Sequence, residues 1–385
     1  MSITSRALLT LSCLAAAAAA QDVHKVPQEH STIQAAVDVA ADGDTILISG
    51  GTYAEAVVVT GMHDLIIQGK GKVIIDPPGA TGLTLDGCSN CNVEKIRVAG
   101  GAPYGILFVD TTDCALSKCV VEDSAQDGIR LEGGGNCSID KCTVKNSTND
   151  GIALTDAVGT FTHDNLVTKC KVIEPLDDGI DIEGHHNTVD KCTFKLPVNG
   201  LKVDDPVNGH HNTFTNCKVI KATNAGILVT GDENAFTSCK VIHPADRGAH
   251  IMAGANNTIT DCKFVKTADD SVRVDEAATA VTISGCKMSK PGDDGVEMDG
   301  DDAIVQDNKV AGSLEDGFEI DGDNGTYTGN KANGSKENGF FLSEGVGNTL
   351  SLNKAHGSKG FDLFDEIGGG LNFVLDDNSF GTIGP

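Results

Sequence analysis

A glycine followed by an apolar residue recurs along most of the chain at intervals of 21 to 28 residues. The series consists of Gly82, Gly105, Gly128, Gly151, Gly179, Gly200, Gly226, Gly248, Gly295, Gly317, Gly339 and Gly360, with Ser271 at the one position that lacks glycine. Apolar and polar residues alternate after these positions, as at Ile129 and Leu131, which indicates a short strand with one buried face. A fixed period of roughly 20 to 50 residues is typical of a solenoid, so each repeat is predicted to form one coil.

Two further columns of residues follow the same period. The first contains Cys119, Cys142, Cys170, Cys192, Cys217, Cys239, Cys262 and Cys286, continued by Asn308, Asn330, Asn353 and Asn378. The second lies five residues earlier and contains Cys91, Cys114 and Cys137, continued by Asn165, Asn187, Asn212, Asn234 and Asn257. A repeat with three short strands closes as one coil, in which equivalent residues stack at the ~4.8 Å spacing of neighbouring strands.

This pattern resembles the right-handed parallel β-helix proteins of the pectin-lyase-like superfold, from residue 45 to the C-terminus. The resemblance implies an all-β fold, a right-handed parallel β-helix with coils of about 22 residues. It also implies that a functional site would lie on one sheet face, because the lyases and hydrolases of this superfold carry their active sites there.

A short helix is predicted before the first coil. Ser31 and Gln34 form a capping box, and apolar residues follow on one face up to Ala40, as in an amphipathic helix. We expect this N-terminal capping helix to cover the open end of the solenoid. The sequence thus predicts a capping helix and entry strand over residues 21–50 and the parallel β-helix over residues 51–385.

The first 20 residues predict a signal peptide. Arg6 precedes an apolar stretch over residues 7–20 that ends in three alanines, the pattern of an export signal. The stretch is shorter than the roughly 20 apolar residues of a membrane span. We therefore expect a secreted or cell-surface protein without a membrane span, present as a monomer.

The charge of the chain excludes one class of partner. Its 29 basic and 55 acidic residues give a formal net charge of −26, so the basic footprint that nucleic-acid recognition requires is lacking. With 39% hydrophobic residues, the composition also argues against global disorder.

The cysteines allow two interpretations. An even number in an exported protein usually indicates disulfides, and twelve remain once Cys13 is removed with the signal peptide. Neighbouring cysteines in one column, however, would lie at the strand spacing, which exceeds the ~3.8 Å between Cβ atoms of a relaxed disulfide. The spacing favours buried thiols, and disulfides between coils are the alternative.

The densest polar cluster lies between the two longest insertions, residues 156–164 and 204–211. It runs from Asp177 to His186. Asp178 and Asp181 are candidate acid and base groups for glycoside hydrolysis, while Lys202 on the next coil could serve as the base of a lyase. The Asp-Asp and Gly-His pieces resemble fragments of the polygalacturonase pattern. The alternative is that each Asp-Gly pair only forms a tight turn.

A strip of twelve acidic residues between Asp293 and Asp323 contains only one basic residue, Lys309. Carboxylates stacked near 5 Å repel by about 1 kcal/mol in water, and oxygen ligands on adjacent coils suit Ca²⁺. The candidate calcium ligands are Asp299, Asp301, Asp321 and Asp323. The alternative is a solvated face screened by salt.

Taken together, the residues predict a protein that binds or processes an extracellular polysaccharide, with lyase or hydrolase chemistry if it is an enzyme. Two observations favour a noncatalytic surface or adhesive solenoid instead. The turn before each glycine stays short in almost every coil, and three tyrosines without tryptophan leave little aromatic surface for stacking sugars.

Overall fold

The computed structural model describes residues 21–100, 103–368, 370–375 and 377–384. The predicted signal peptide, residues 1–20, lies outside the described residues. The chain forms an all-β, right-handed parallel solenoid of about 15 turns. Every described pairing of named strands is parallel, so the fold class predicted from the repeat is confirmed.

One sheet runs along the whole solenoid and is called the first sheet. Its strands are Val57–Thr60, Leu83–Asp86, Ile106–Thr112, Ile129–Gly135, Ile152–Thr155, Thr162–His163, Ile180–Ile182, Leu201–Val203, Ile227–Val229, Ala249–Ile251, Val272–Val274, Val296–Met298, Phe318–Ile320, Phe340–Leu342 and Leu363–Asp365. Apart from the first strand, Thr162–His163 and the last strand, each begins just after a member of the series of glycines and Ser271, so that series marks the entry to the first sheet.

Two further stacks of strands complete each coil. The second stack contains Ala115–Ser117, Ser138–Asp140, Leu166–Thr168, Thr188–Asp190, Thr213–Thr215, Ala235–Thr237, Thr258–Thr260, Thr282–Ser284, Ile304–Gln306, Thr326–Thr328, Thr349–Ser351 and Phe373–Val374. The third stack contains Val120–Glu122, Thr143–Lys145, Lys171–Ile173, Thr193–Lys195, Lys218–Ile220, Lys240–Ile242, Lys263–Val265, Lys287–Ser289, Lys309–Ala311, Lys331–Asn333, Lys354–His356 and Ser379–Phe380. Three longer strands join both stacks at the N-terminal end: Thr45–Tyr53, Ile66–Ile75 and Asn92–Ala99. The strand Val23–Val26 pairs with the first half of Thr45–Tyr53. A separate pair of short strands, Gly254–Ala255 and Ala278–Thr279, lies beside the first sheet.

The N-terminal helix is shorter than the capping box predicted. It spans Ile33–Val37, and its N-cap is Thr32, whose hydroxyl accepts a hydrogen bond from the Ala35 amide at 3.1 Å. The Glu55 carboxylate accepts hydrogen bonds from the Ile33 and Gln34 amides, so Thr32 and Glu55, and not Ser31 and Gln34, satisfy the amides at the start of the helix. Parallel pairing already starts at Val23–Val26, within the segment assigned to the cap.

The corners of the coil are made by residues in the left-handed backbone region. In one representative coil these are Asn136, Lys141 and Asn146, with φ of 55°, 55° and 54°. The series glycines do not have positive φ; they are required for space instead. A Cβ atom on Gly128 would overlap Cγ1 of Val144 and lie 2.8 Å from the Gly151 carbonyl oxygen.

The core consists of columns of like residues. Phe214 and Phe236 stack at 4.6 Å between ring centroids. The twelve cysteines from Cys88 to Cys286 are buried and free. Buried asparagines connect coils: the Asn212 amide donates to Oδ1 of Asn234 at 3.0 Å, while Nδ2 of Asn212 donates to the Gly184 carbonyl. These bonds satisfy the backbone at the corner, where the strand ladder is interrupted.

Candidate functional site

The outward face of the first sheet carries two rows of polar side chains along the solenoid. The strand register aligns Arg130, Ala153, Asp181, Lys202, Leu228, His250, Arg273, Glu297, Glu319 and Phe341 as one row. The row ends at Phe364, which pairs with Phe341. The expectation that Gly360 starts the last strand is therefore wrong: the strand begins at Leu363, and the carbonyl oxygen of Asp362 takes the place next to Gly339.

The three residues predicted to be catalytic lie together. The Lys202 ammonium nitrogen is 3.2 Å from Oδ2 of Asp178 and 3.0 Å from Oδ2 of Asp181. Asp204, at the end of the same strand as Lys202, adds a third carboxylate at 2.6 Å. The register of neighbouring strands brings these side chains together, because Asp181 pairs directly with Lys202.

Asp178 is held in place by its neighbours. Its side chain is buried, and Oδ1 accepts hydrogen bonds from the backbone amide and the Nδ2 of Asn199 at 2.9 and 2.8 Å. Asp178 is thus fixed on one side by Asn199 and on the other by the Lys202 ammonium.

Asp181 has the chemistry of an acid near neutral pH. Burial raises its pKa to about 7, although the Lys202 ammonium acts in the opposite direction. Its Oδ1 has no hydrogen-bond partner among the described residues. Such a carboxyl group is protonated at mildly acidic pH.

Lys202 remains a cation. Burial alone would lower the pKa of its amine, but the Asp181, Asp204 and Asp178 carboxylates outweigh that effect and raise this pKa above its usual range. A lysine base must be deprotonated at working pH.

A column of carboxyl groups lies beneath this cluster, at the entry to the first sheet. Oδ1 of Asp127 accepts from the Asp150 amide at 3.2 Å, and Oδ1 of Asp150 accepts from the Asp178 amide at 3.0 Å. Burial and the nearby Asp181 carboxylate raise the pKa of Asp150 to about 8. The aspartate of each Asp-Gly pair thus connects consecutive coils, a role that local turn chemistry does not describe.

An open cleft of ≈ 340 Å³ lies between the first insertion and the ends of the first-sheet strands Ile106–Thr112 and Ile129–Gly135. The first insertion forms one wall, because Thr162–His163 pairs with Gly134 and Gly135 of the preceding coil. Phe161, 52% exposed, lines the cleft together with His163 and His185. Asp178, Asp181 and Lys202 do not line this cleft.

This aromatic lining is not predicted by the number of tyrosines and tryptophans, because the insertion presents a phenylalanine and the corner presents histidines. The signal that could have found them is the recurrence of histidine just before Asn187 and Asn212 of the corner column.

The four predicted calcium ligands, Asp299, Asp301, Asp321 and Asp323, line one cleft of ≈ 440 Å³ together with Glu276 and Glu344. Asp301 and Asp323 are partly engaged, since their Oδ1 atoms accept from the amides of the next coil. Oδ2 of Asp299 is 2.6 Å from the Arg273 guanidinium. Burial and the neighbouring Glu319, Asp299 and Glu344 carboxylates raise the pKa of Asp321 to about 7.

Other groups of carboxylates lie close together at the corner before the first sheet and on its strands. Their oxygens approach within 4.8 Å of one another in five groups: Asp150, Asp177 and Asp178; Asp269, Asp270 and Asp293; Asp270, Asp294 and Glu297; Asp293, Asp294 and Glu315; Asp294, Asp316 and Glu319. These buried acidic clusters could hold a metal ion.

The chain belongs to the right-handed β-helix family. The family described as right handed beta helix region matches residues 81–205, 206–355 and 270–383. No curated protein sequence matches the chain significantly. None of the helices in the described residues has the length and apolar character to cross a membrane.

Several known structures share the fold at low sequence identity. A tailspike protein of E. coli bacteriophage HK620 is 10% identical with a TM-score of 0.62, over 89% of this chain and 73% of that one. The catalytic domain of a GH87 α-1,3-glucanase is 12% identical with a TM-score of 0.60, over 75% of this chain and 64% of that one. The A-module of AlgE4, a mannuronan C-5 epimerase of Azotobacter vinelandii, is 14% identical with a TM-score of 0.55, over 90% and 94%. The chain thus spans less than two thirds of the glucanase domain.

Proposed function

We propose that the protein binds a polysaccharide along the outward face of the first sheet and hydrolyses it at Asp181. The observation that carries this proposal is the state of Asp181, a nearly buried carboxyl group with a pKa of about 7 and one oxygen without a partner among the described side chains. The shared fold is consistent with it, since the glucanase domain was solved with tetrasaccharides and the tailspike with a pentasaccharide.

The two carboxyl groups on either side of the Lys202 ammonium suit the two roles of a glycosidase. Asp181 is the general acid, and Asp204, whose side chain is 46% exposed, is the nucleophile or base. Both bind the same nitrogen, at 3.0 and 2.6 Å, so their oxygens are closer than the roughly 6.5–9.5 Å of inverting enzymes. This spacing favours hydrolysis with retention of anomeric configuration.

Lys202 and Asp178 position these groups. The ammonium contacts Asp204 directly and is itself fixed by Asp178. The lyase alternative would need a neutral amine at Lys202, and the raised pKa of that amine argues against it. Hydrolysis by two carboxyl groups, unlike the lyase reaction, is compatible with a cationic Lys202.

We include calcium in the proposal, at the cleft lined by Asp299, Asp301, Asp321 and Asp323. Oδ1 of Asp299 and Oδ1 of Asp321 are buried atoms without hydrogen-bond partners within the described part of the chain. A hard cation with oxygen ligands would satisfy both and offset the repulsion between the rows. With a net charge of −26, the protein suits a neutral glycan, or a polyuronate bridged by Ca²⁺. The apolar stretch over residues 7–20 supports an activity outside the cell.

A screen of product types tests the proposal. Wild type, Asp181→Asn and Asp190→Asn are incubated with neutral and acidic polysaccharides, and new reducing ends and unsaturated products are measured separately. Asp190 is the matched control, because it pairs with Lys191 at 2.7 Å on the second stack, away from the first sheet.

We expect wild type and Asp190→Asn to release reducing ends and Asp181→Asn to lose at least about 100-fold in rate, the order of general acid catalysis. Unsaturated products would instead indicate a lyase. If all three proteins bind a polysaccharide and none cleaves it, the noncatalytic solenoid is supported. The observation that favours this alternative is that Lys202 and its three carboxylate partners already pair with one another.

A further inference from the structure

A column of seven lysines runs along the outer face of the third stack, on the coils that follow Lys202. Each lysine is the first residue of its strand, and the strand register pairs each one directly with the next. We call this column the lysine ladder; its members are Lys218, Lys240, Lys263, Lys287, Lys309, Lys331 and Lys354. At the ~4.8 Å spacing of neighbouring strands, the ladder extends over about 29 Å.

The ladder lysines form no ion pairs within the described part of the chain. The middle residue of each of these strands is buried, whereas the lysine is half-buried or exposed, so the lysine side chains point outward. Among the described residues, no carboxylate oxygen lies within 4.0 Å of any ladder ammonium. This includes Asp261 and Asp307, which stand two residues before a ladder lysine in the preceding corner. The seven cations are therefore available to a ligand.

A second, shorter column of basic side chains borders the ladder on four coils. Its members are exposed corner residues, each three positions after a ladder lysine: Lys221, His243, Lys266 and Lys290. The side chains between the two columns are half-buried and in register: Ile220, Ile242, Val265 and Ser289. This part of the third stack therefore presents a mainly aliphatic strip between two rows of basic residues.

The net charge of the chain conceals this arrangement. The chain carries a formal charge of −26, yet the four-residue segments that begin at the ladder lysines contain no aspartate or glutamate. Exposed charges further apart than about 8 Å are largely screened at physiological ionic strength, whereas neighbouring strands are only about 4.8 Å apart. Successive ladder lysines therefore act together on one ligand.

We propose that the lysine ladder binds a linear anionic polysaccharide, with one acid group on each sugar, along the axis of the solenoid. The ladder is one residue wide and about 29 Å long, a shape that suits a linear polymer, and the release of condensed counterions favours the binding of a polyanion to lysines. The apolar faces of sugar rings can be removed from water on the aliphatic strip.

The same residues argue against a single-stranded nucleic acid as the ligand. Proteins that bind such strands add aromatic side chains on which the bases stack, and the outward positions of these seven strands hold no phenylalanine, tyrosine or tryptophan. The ladder lies on a different stack from Asp181 and Lys202, so it would attach the protein to a glycan without cleaving it. This inference therefore does not depend on the proposed hydrolysis.

Calorimetric titration in the absence of calcium tests the proposal. The probes are an oligomannuronate long enough to span the ladder and a neutral mannooligosaccharide of the same length and linkage. EDTA is present throughout, so that Ca²⁺ cannot bridge the acidic probe to the first sheet. The ladder variant is Lys240→Thr with Lys263→Thr and Lys287→Thr. Threonine already occupies this column at Thr193, which pairs with Lys218, so the substitutions suit the strands.

A control variant removes the same amount of charge elsewhere. Lys118→Asn, Lys141→Asn and Lys169→Asn replace three lysines on consecutive coils, in the corner between the second and third stacks. Each has φ of 55°, and Asn216 has the same φ in the same corner of a later coil, so asparagine suits the backbone. Melting temperatures of both variants confirm that the coils remain folded.

We expect the affinity for oligomannuronate to fall about 10- to 100-fold in the ladder variant, the effect of losing three exposed ion pairs, and to stay within about threefold in the control. The slope of log affinity against log salt should become shallower by about 2 in the ladder variant, at about 0.7 per lysine.

Several results would overturn the proposal: an unchanged affinity in the ladder variant, an equal loss in the control variant, or equally tight binding of the neutral probe. Sedimentation at low salt adds a further test. If the ladder variant abolishes a self-association of the wild-type protein and leaves oligomannuronate binding unchanged, the ladder binds a second copy of the chain instead. Because no cleavage is measured, these results are independent of the test of hydrolysis.

Discussion

Replacing Asp150 with asparagine measures how much stability the fold loses when a buried carboxyl group ionises as the pH rises. Asp150 is 6% exposed, and its Oδ1 accepts a hydrogen bond from the Asp178 amide. Two coils later Asn199 occupies the same place, and its Oδ1 accepts from the Ala225 amide at 3.2 Å. The new side chain in the Asp150→Asn variant would therefore keep the hydrogen bond between coils, and only the ability to ionise would be lost.

The magnitude follows from the pKa of Asp150, which folding raises from its ordinary value of 3.8 to about 8. A raised pKa means that the folded state holds a proton that the unfolded state has released. The stabilising contribution is complete below about pH 4 and is lost as the pH rises toward 8. At 1.36 kcal/mol per pH unit, the difference is on the order of 5 kcal/mol at pH 8.

Thermal unfolding followed by circular dichroism at pH 4, 6 and 8 gives the answer. We expect Asp150→Asn to match wild type at pH 4 and to unfold several degrees higher at pH 8. The control is Asp113→Asn, which removes an exposed carboxylate from a corner where the next coil has Asn136. If Asp150→Asn and wild type lose stability in parallel between pH 4 and 8, Asp150 does not carry a buried proton and the reasoning fails.

Three further predictions concern packing, catalysis and metal binding. Gly128→Ala should lower the melting temperature by an amount equivalent to several kcal/mol, because its Cβ would overlap Val144. The rate of glycan hydrolysis should fall as the pH rises through about 7, where Asp181 loses its proton, and a pH–rate profile checks this. Millimolar Ca²⁺ should raise the melting temperature of wild type, and Asp299→Asn with Asp321→Asn should abolish that increase.

Each of these has a control within the chain. Gly51→Ala should be tolerated, because its Cβ would lie 3.6 Å from the Tyr53 ring, an ordinary contact. Asp190→Asn should leave the pH–rate profile unchanged, and Asp302→Asn should leave the calcium response unchanged. A rate that stays constant across neutral pH would argue against Asp181 as the acid. A melting temperature that does not change on addition of Ca²⁺ would argue against the calcium site.

The sequence was sufficient to predict the rows on the first sheet because a column of glycines sets the coil register. Each glycine is needed where a Cβ would collide with the third stack, as at Gly128, so it recurs at the same place in each coil. This is why Asp181 and Lys202 could be placed side by side without coordinates, as their pairing shows.

The last coil shows where residue type misleads. Gly360 has the right neighbours but stands only seven residues after Asn353, whereas the usual interval is nine. Nine residues after Asn353 is Asp362, which precedes the strand in the structure. Chain length between corners, which determines whether a coil closes, outweighs the identity of one residue.

The chemistry of the candidate site could be predicted only in part. Which carboxyl group is protonated depends on burial and on three ion pairs around Lys202, and the sequence contains neither. The cleft beside Phe161 depends on how residues 156–163 fold back onto the preceding coil, and an insertion has no periodicity from which to predict this.

The configuration of the first sugar released tests the central claim most directly. Proton NMR during early hydrolysis distinguishes the two anomers before they equilibrate. Because Asp181 and Asp204 bind the same ammonium, we predict that the product has the anomeric configuration of the substrate. An inverted product would contradict the assignment of this pair, since inversion requires room for a water molecule between carboxyl groups that lie further apart.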